Sequence, residues 1–292
     1  MEGISVFCKS YRNDLSRAAT LAESVRRFNS DALPFCISVP RSDLPLFRDH
    51  IGTGDITWMC DEDIIEANRG ISMEGYRSLP GGLSQQIVKA EFWRLNPQPS
   101  YLCIDSDSVF IREFGRSDFI AVDSVPYTVI HEGKSFSDFC LANGLAHVIE
   151  EHELMKNALR TVFGRRGPSY EFGPFPVAWH RNVWRDLDAN HLAPKAMTIV
   201  DAITSAPSEA FWYGEALLKY HSIAIFPREP FFRAYLFLEE YEHDRRMGIT
   251  EAILKKTYSG IVYQSNWHPR RLKLLKKYAY YIKKSLKRFR GR

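Results

Sequence analysis

The sequence predicts an α/β fold with a Rossmann-like sheet, and three observations predict it. Apolar runs of strand length open the chain and recur up to position 104. Segments with helical spacing of apolar residues separate them. The most pointed polar motif, Asp105-Ser106-Asp107, falls where one of these runs stops, and open α/β sheets gather ligands at the carboxyl ends of their strands.

The elements follow in order. "ISVFCKSY" (Ile4–Tyr11) reads as a first strand. Asp14–Phe28 carries Leu15, Ala18, Ala22 and Val25 near helical spacing, with Asp14 as a candidate cap. "LPFCISVP" (Leu33–Pro40) and Ile56–Met59 read as second and third strands, a β-α-β-β opening whose early strands are parallel and buried. Gly70–Leu83 reads as a loop and Ser84–Leu95 as a helix. Tyr101–Ile104 is the strand that meets the aspartates, and a short strand follows near Val109. Ser135–Val162 reads as helix and loop, and Arg181–Leu187 as a helix. Glu209–Tyr220 reads as a helix, Ser222–Pro227 as a strand and Phe231–Tyr241 as a helix. No repeat or low-complexity linker interrupts residues 1–269, which read as one domain, with 270–292 as an appendage.

Composition fits a globular protein of 292 residues, 45% hydrophobic and 25% charged. The five cysteines, at 8, 36, 60, 103 and 140, form no CxxC pair and read as reduced, buried thiols of a cytoplasmic protein. The start, "MEGISVFCKS", has no basic n-region or cleavage site and runs directly into a strand, so a signal peptide is not expected. Charge is uneven. Residues 270–292 hold eleven Lys/Arg and no acid; taking those from 39 leaves 28 basic against 35 acidic residues, a net of −7 for the body. An acidic body without a basic stripe or an RNP-like motif argues against nucleic acid as a partner.

Two carboxylates on one turn repel unless a cation lies between them. Hard oxygen ligands suit Mn²⁺ or Mg²⁺, which keep waters and take substrate phosphates. A strand followed by DxD serves two enzyme classes. In haloacid-dehalogenase-type phosphatases the first aspartate is a nucleophile, and "DSDSV" fits that string. In nucleotide-sugar glycosyltransferases the pair holds the donor's metal. The phosphatase motif normally opens its fold and needs a later acidic pair. Here more than 100 residues precede Asp105 and no convincing second pair follows.

Several segments, in order, carry a more specific resemblance. They are "CKSYRNDLSRAATLAESVRRFN", "LPFCISVPRSDLPLF", "GGLSQQIVKAEF", "YLCIDSDSVFIREF" and "SEAFWYGEAL". Together they resemble a family of bacterial GT-A-type proteins (DUF6492) related to polysaccharide and lipopolysaccharide glycosyltransferases. The resemblance implies a GT-A (Rossmann-like) nucleotide-diphospho-sugar transferase fold with a mixed central sheet. It implies a metal-dependent glycosyltransferase that moves sugar from a nucleotide-sugar donor to a growing surface glycan such as lipopolysaccharide, capsule or O-antigen.

Roles follow from the resemblance, position by position. Asp105 and Asp107 would hold Mn²⁺ or Mg²⁺ and, through it, the donor diphosphate; His268 matches no motif of the family and is a candidate third ligand by its place near the C-terminus of the fold. Lys9, Ser10 and Tyr11 end the first strand, where the nucleotide would lie. Gln85, Gln86 and Lys89 match a Q-Q-x-x-K pattern and would meet ribose, sugar or phosphate, and Tyr213 would shape the same pocket. Glu209 is the expected catalytic carboxylate, either as general base or as stabiliser of an oxocarbenium-like centre. The aromatic run Gly173–Trp184 would take the glycan or glycolipid acceptor. His131 and His180 read as lone, structural histidines.

The tail spaces Leu272, Leu275, Ala279, Ile282 and Leu286 among its lysines and arginines. It reads as a basic amphipathic helix for an anionic membrane surface, which would make the protein peripheral on the inner face of the bacterial cytoplasmic membrane. Two alternatives remain at this stage: a phosphatase with Asp105 as nucleophile, and a non-catalytic GT-A-like membrane assembly partner.

Overall fold

The computed structural model describes residues 3–264. The α/β class with a mixed central sheet, expected from the sequence, is what the chain has. Five strands form the central sheet: β1 (Ile4–Lys9), β2 (Phe35–Val39), β3 (Ile56–Cys60), β4 (Ser100–Asp105) and, later in the chain, β8 (Val177–His180). Their order is β3-β2-β1-β4-β8. The first four are parallel, and β8 runs antiparallel to β4. Every residue of β1 and β2 is buried, which explains why these strands are near-continuous apolar runs rather than alternating ones.

Two small sheets complete the architecture. β5 (Ser108–Phe110) leaves the Asp105–Asp107 turn and joins β10 (Phe232–Tyr235) and β11 (Gly260–Tyr263) in the order β10-β11-β5. β6 (Ile120–Val122), β7 (Val125–Val129) and β9 (Phe226–Arg228) form the third sheet. The aspartate turn is therefore clamped between two sheets, and the backbone carbonyl of Asp107 also accepts a hydrogen bond from the Tyr263 N–H at 2.9 Å.

Several expected elements differ. A helix at Leu44–Ile51 lies between β2 and β3; parallel neighbours need such a crossover, and its single turn of buried anchors, Phe47 and Ile51, is too short to stand out by periodicity. The stretch expected to be a loop holds a short helix, Met73–Arg77, and the following helix begins at Gly81, straight after Pro80. Phe231–Tyr241 is not one helix. Phe232–Tyr235 is a strand paired in parallel with Gly260–Tyr263, and the helix begins at Leu238. A strand whose partner lies far along the chain leaves no local signature. The strand expected at Ser222–Pro227 is shorter and lies later, at Phe226–Arg228, paired with β7.

One main apolar core fills the fold, with a small satellite around Ile111, Tyr235, Leu254 and Ile261. All five cysteines are free and buried. Under the strand ends, Phe7 and Phe92 stack at 3.7 Å and Tyr101 packs edge-on against Phe92 and Trp179. The Tyr101 hydroxyl donates to the carbonyl of Lys89 at 2.9 Å. That bond ties the helix Gly81–Glu91 to β4 at the level of the site.

Candidate functional site

The strand order reverses direction between β1 and β4. Chain connections leave these two strands toward opposite sides, which opens a crevice at their carboxyl ends. Lys9 and Asp105, the last residues of β1 and β4, lie in register there. The motif's first aspartate is thus at the switch point of the sheet.

Three charged side chains meet at this point. Lys89 Nζ stands 2.5 Å from Asp105 Oδ1 and 3.3 Å from Glu209 Oε1. The ammonium also lies 4.2 Å from the centroid of the Phe175 ring. Lys89 and Glu209 are buried, whereas the Asp105 side chain is 33% exposed. Burial opposes the charge on Lys89, but Asp105 and Glu209 outweigh it and its pKa is raised. Burial pushes the Glu209 carboxyl up, against the pull of Lys89. Glu209 opens the helix Glu209–Tyr220, where Ser208 caps the first turn by accepting from the Phe211 N–H at 3.4 Å.

A second buried pair lies beside the first. Lys9 Nζ is 2.9 Å from Asp61 Oδ2, and the Ser38 hydroxyl donates to Asp61 Oδ1 at 2.5 Å. Lys9 ends β1, Ser38 is the next-to-last residue of β2 and Asp61 directly follows β3, so the carboxyl ends of three strands are joined. Burial raises the Asp61 pKa, with Lys9 and Ser38 working against it. Sequence reasoning missed Asp61; its signal was a carboxylate directly after a strand, the same signal that marked Asp105.

The other expected donor residues divide. Ser10 Oγ and Gln86 Oε1 are buried and have no hydrogen-bond partner among the described residues; such groups normally find one. The Gln86 amide donates to the Gly82 carbonyl at 3.0 Å. Tyr11 is exposed, with Lys9 Nζ 5.9 Å from its ring centroid. Gln85 is half-buried on the same helix. Tyr213 stands apart from these. It is buried among Trp179 and Trp184, and its hydroxyl accepts the His180 N–H at 2.8 Å. It supports the core beneath the site rather than lining a pocket.

Asp107 is buried. Among the described residues no group of three or more His, Cys, Asp or Glu is placed to hold a metal ion, and His268 lies outside the described residues. The donor set still fits a hard divalent ion of a particular kind. Mg²⁺ and its like take one or two protein carboxylates and complete their shell with phosphate oxygens and water. Asp105 and Asp107 supply that number from one turn, so they fit an ion whose shell is completed from outside the protein rather than one caged by protein.

A cavity of about 280 Å³ opens from Asp105. Its walls are aromatic (Phe136, Phe172, Phe175, Phe211), with His131, His152, Glu171 and Gln264 as polar members. The expected acceptor run thus contributes only its first three residues, Gly173–Phe175, while Trp179 and Trp184 are buried in the core. Gly214 has a clear packing role: a Cβ there would lie 2.2 Å from the Phe172 ring.

The site therefore defines an α/β protein with a carboxylate-bearing crevice at a sheet switch point. Among known proteins, a family model described as "Family of unknown function (DUF6492)" matches residues 4–148, from β1 to the start of the helix Ala146–Val162. No protein of curated function matches the chain. A solved structure similar to it is that of mouse xyloside xylosyltransferase 1, apo form. The two share 9% identity over 91% of this chain and 99% of that one, with a TM-score of 0.47. No helix among the described residues is long and apolar enough to cross a membrane.

Proposed function

We propose that the protein is a metal-dependent glycosyltransferase that takes a sugar from a nucleotide-sugar donor. The observation that carries this reading is the register of Asp105 with Lys9 at the switch point of the sheet. A mononucleotide-type half sheet binds nucleotides in that crevice. The two buried polar atoms without partners, on Ser10 and Gln86, support a ligand that completes them there.

In this reading Asp105 and Asp107 would hold Mn²⁺ or Mg²⁺, which would supply charge stabilisation for the departing diphosphate. The chain's own residues do the rest. Lys89 fixes Asp105, and Glu209 fixes Lys89, so that the buried Lys89–Glu209 pair pre-orients the motif. Glu209 acts by position: its carboxylate is spent on Lys89 and it does not line the cavity. Lys9, held by Asp61, presents positive charge at the end of β1. The acceptor, a glycan or glycolipid, enters the aromatic cavity beside Asp105. A bacterial surface glycan as product, and attachment of residues 270–292 to the inner face of the cytoplasmic membrane, belong to the same proposal on sequence grounds.

The phosphatase alternative finds less support. It wants its nucleophile on the strand that opens the fold and an acidic pair on a neighbouring strand end. Asp105 ends the fourth strand, and its neighbour at the end of β1 is a lysine.

The test is calorimetric titration of the full chain with UDP, GDP, CMP and dTDP, with and without Mn²⁺. Binding of one of them, strengthened by Mn²⁺ and weakened at least about tenfold by Asp107→Ala, is expected. The absence of binding by all four, or an unchanged Asp107→Ala profile, overturns the reading.

A further inference from the structure

The cavity beside Asp105 holds four titratable side chains: Asp105, His131, His152 and Glu171. Three have their roles or partners already assigned. Asp105 faces Lys89. His131 Nδ1 accepts the Gly133 N–H at 3.1 Å, so its proton is on Nε2 and is donated to the Gly173 carbonyl at 2.6 Å. Glu171 accepts from His152 Nε2 with both oxygens, each at 2.9 Å, and from Lys156 Nζ at 2.8 Å.

His152 is different. A carboxylate only accepts, so Nε2 carries a proton, and in the neutral imidazole Nδ1 then holds the lone pair. Nδ1 makes no hydrogen bond among the described residues. The ring is held in place by Phe136 and Phe211, with centroids at 5.3 and 5.6 Å. Glu171 is itself fixed, exchanging two backbone hydrogen bonds with His131. Lys156, buried one turn after His152 on the same helix, keeps it charged. Burial opposes that charge, but His152 and Lys156 outweigh it and hold the Glu171 carboxyl below its usual range. A base oriented and backed by a carboxylate is the arrangement that accepts a proton and stabilises the resulting imidazolium.

We propose that His152, oriented by Glu171, takes the proton from the acceptor hydroxyl, and that the cavity receives one sugar ring of a glycoside acceptor against Phe136 and Phe211. This rests on the sugar-transfer reading above. The volume is at the low end of ligand pockets, which run from roughly 300 Å³ upward, and suits a single ring whose C–H face lies on an aromatic wall. The step balances. The acceptor O–H bond breaks and its proton goes to His152 Nδ1. The acceptor oxygen bonds to the donor's anomeric carbon. The bond from that carbon to the diphosphate oxygen breaks, and its electron pair leaves with the nucleoside diphosphate.

The experiment uses the full chain with UDP-, GDP-, CMP- and dTDP-linked sugars as donors and a panel of p-nitrophenyl glycosides as acceptors. Nucleotide binding, donor hydrolysis by water and transfer to glycoside are measured on wild type, His152→Gln and Glu171→Gln. His152→Gln is expected to lower transfer kcat by about 100-fold or more, to leave nucleotide Kd unchanged, and to recover part of its transfer when free imidazole is added. Glu171→Gln is expected to lower kcat about tenfold or more, as lost positioning of a base does. Transfer by His152→Gln within about threefold of wild type, or a loss that imidazole does not restore, overturns the assignment of the base. A wild type that hydrolyses donor but transfers to no glycoside overturns the acceptor class. A wild type that binds no nucleotide overturns the sugar-transfer reading itself, and the proposal with it.

Discussion

The ammonium of Lys89 stands 2.5 Å from Asp105 Oδ1, so the carboxylate proposed for the metal already faces a cation of the protein. The same ammonium reaches Glu209, and both of those residues are buried. Removing Lys89 leaves Glu209 buried without its counter-charge. Lys89→Met is expected to cost about 3–5 kcal/mol, the range seen when one member of a buried pair is deleted. Glu209→Leu added to it removes the stranded charge and is expected to recover most of that loss. Urea unfolding at pH 7 of the two single variants and the double variant measures the coupling. A double variant no more stable than Lys89→Met would show that Glu209 does not depend on Lys89.

His180 predicts an acid-side loss of stability. Burial, with Arg181 and Arg185 adding to it, holds its pKa at about 4 against an ordinary 6.5. Between those values the unfolded chain binds a proton that the folded chain refuses. Stability is therefore full above about pH 6.5 and falls as pH drops toward 4. His180→Asn keeps a side-chain acceptor for the Asn182 N–H, which His180 Nδ1 now takes at 3.1 Å, and it removes the titration. The difference in unfolding free energy between pH 7 and pH 5 is expected to be smaller in the variant. His191, also held at about 4, still titrates and leaves part of the slope in place. Equal slopes in variant and wild type would contradict the role given to His180.

What could be read from the sequence, and what could not, divides along a physical line. Central strands buried on both faces are continuous apolar runs, so Ile4–Lys9 and Ser100–Asp105 announce themselves, and Asp105 is visible as the point where such a run stops. The partners of Asp105 are not visible in that way. Lys89 and Glu209 were both singled out for ligand contact, yet nothing local says that they face each other, because their meeting depends on how two helices pack onto one strand end. His152 and Glu171 lie 19 residues apart and join only through the tertiary fold. Glu171 had no signal at all: it sits in an irregular segment, and its role follows from Lys156 and His152 reaching it from a neighbouring helix. Tyr213 is expected from the resemblance to shape a pocket, and Gly214 follows it on the same helix. Their spacing reflects packing, a tyrosine under Trp179 and a glycine against Phe172.

That packing gives a further prediction. A Cβ at Gly214 would lie 2.2 Å from the Phe172 ring, which lines the cavity. Either the ring or the helix Glu209–Tyr220 must move. Gly214→Ala is expected to lower stability by about 1–3 kcal/mol, the usual cost of overpacking, despite alanine's better helix propensity. Gly81→Ala is the control: it also stands in a helix, and its Cβ would meet nothing within 4 Å. Chemical unfolding of both is expected to show a loss for the first and none for the second. A neutral Gly214→Ala would mean that the Phe172 wall yields freely.

The basic segment 270–292, outside the described residues, carries a prediction that rests on charge alone. Its eleven Lys/Arg stand against a body of net −7, so attraction to an anionic surface must come from the segment and not from the rest of the chain. Near such a surface each basic residue contributes on the order of 1 kcal/mol, and the effect falls off within a Debye length. The full chain is expected to float with phosphatidylserine-containing vesicles at low salt, to stay in solution with purely phosphatidylcholine vesicles, and to detach as salt rises to about 0.5 M. Deleting residues 270–292 is expected to abolish flotation while leaving nucleotide binding intact, because Lys9, Lys89, Asp105 and Asp107 all lie in the body. Equal flotation of the deleted chain would assign membrane attachment to another surface.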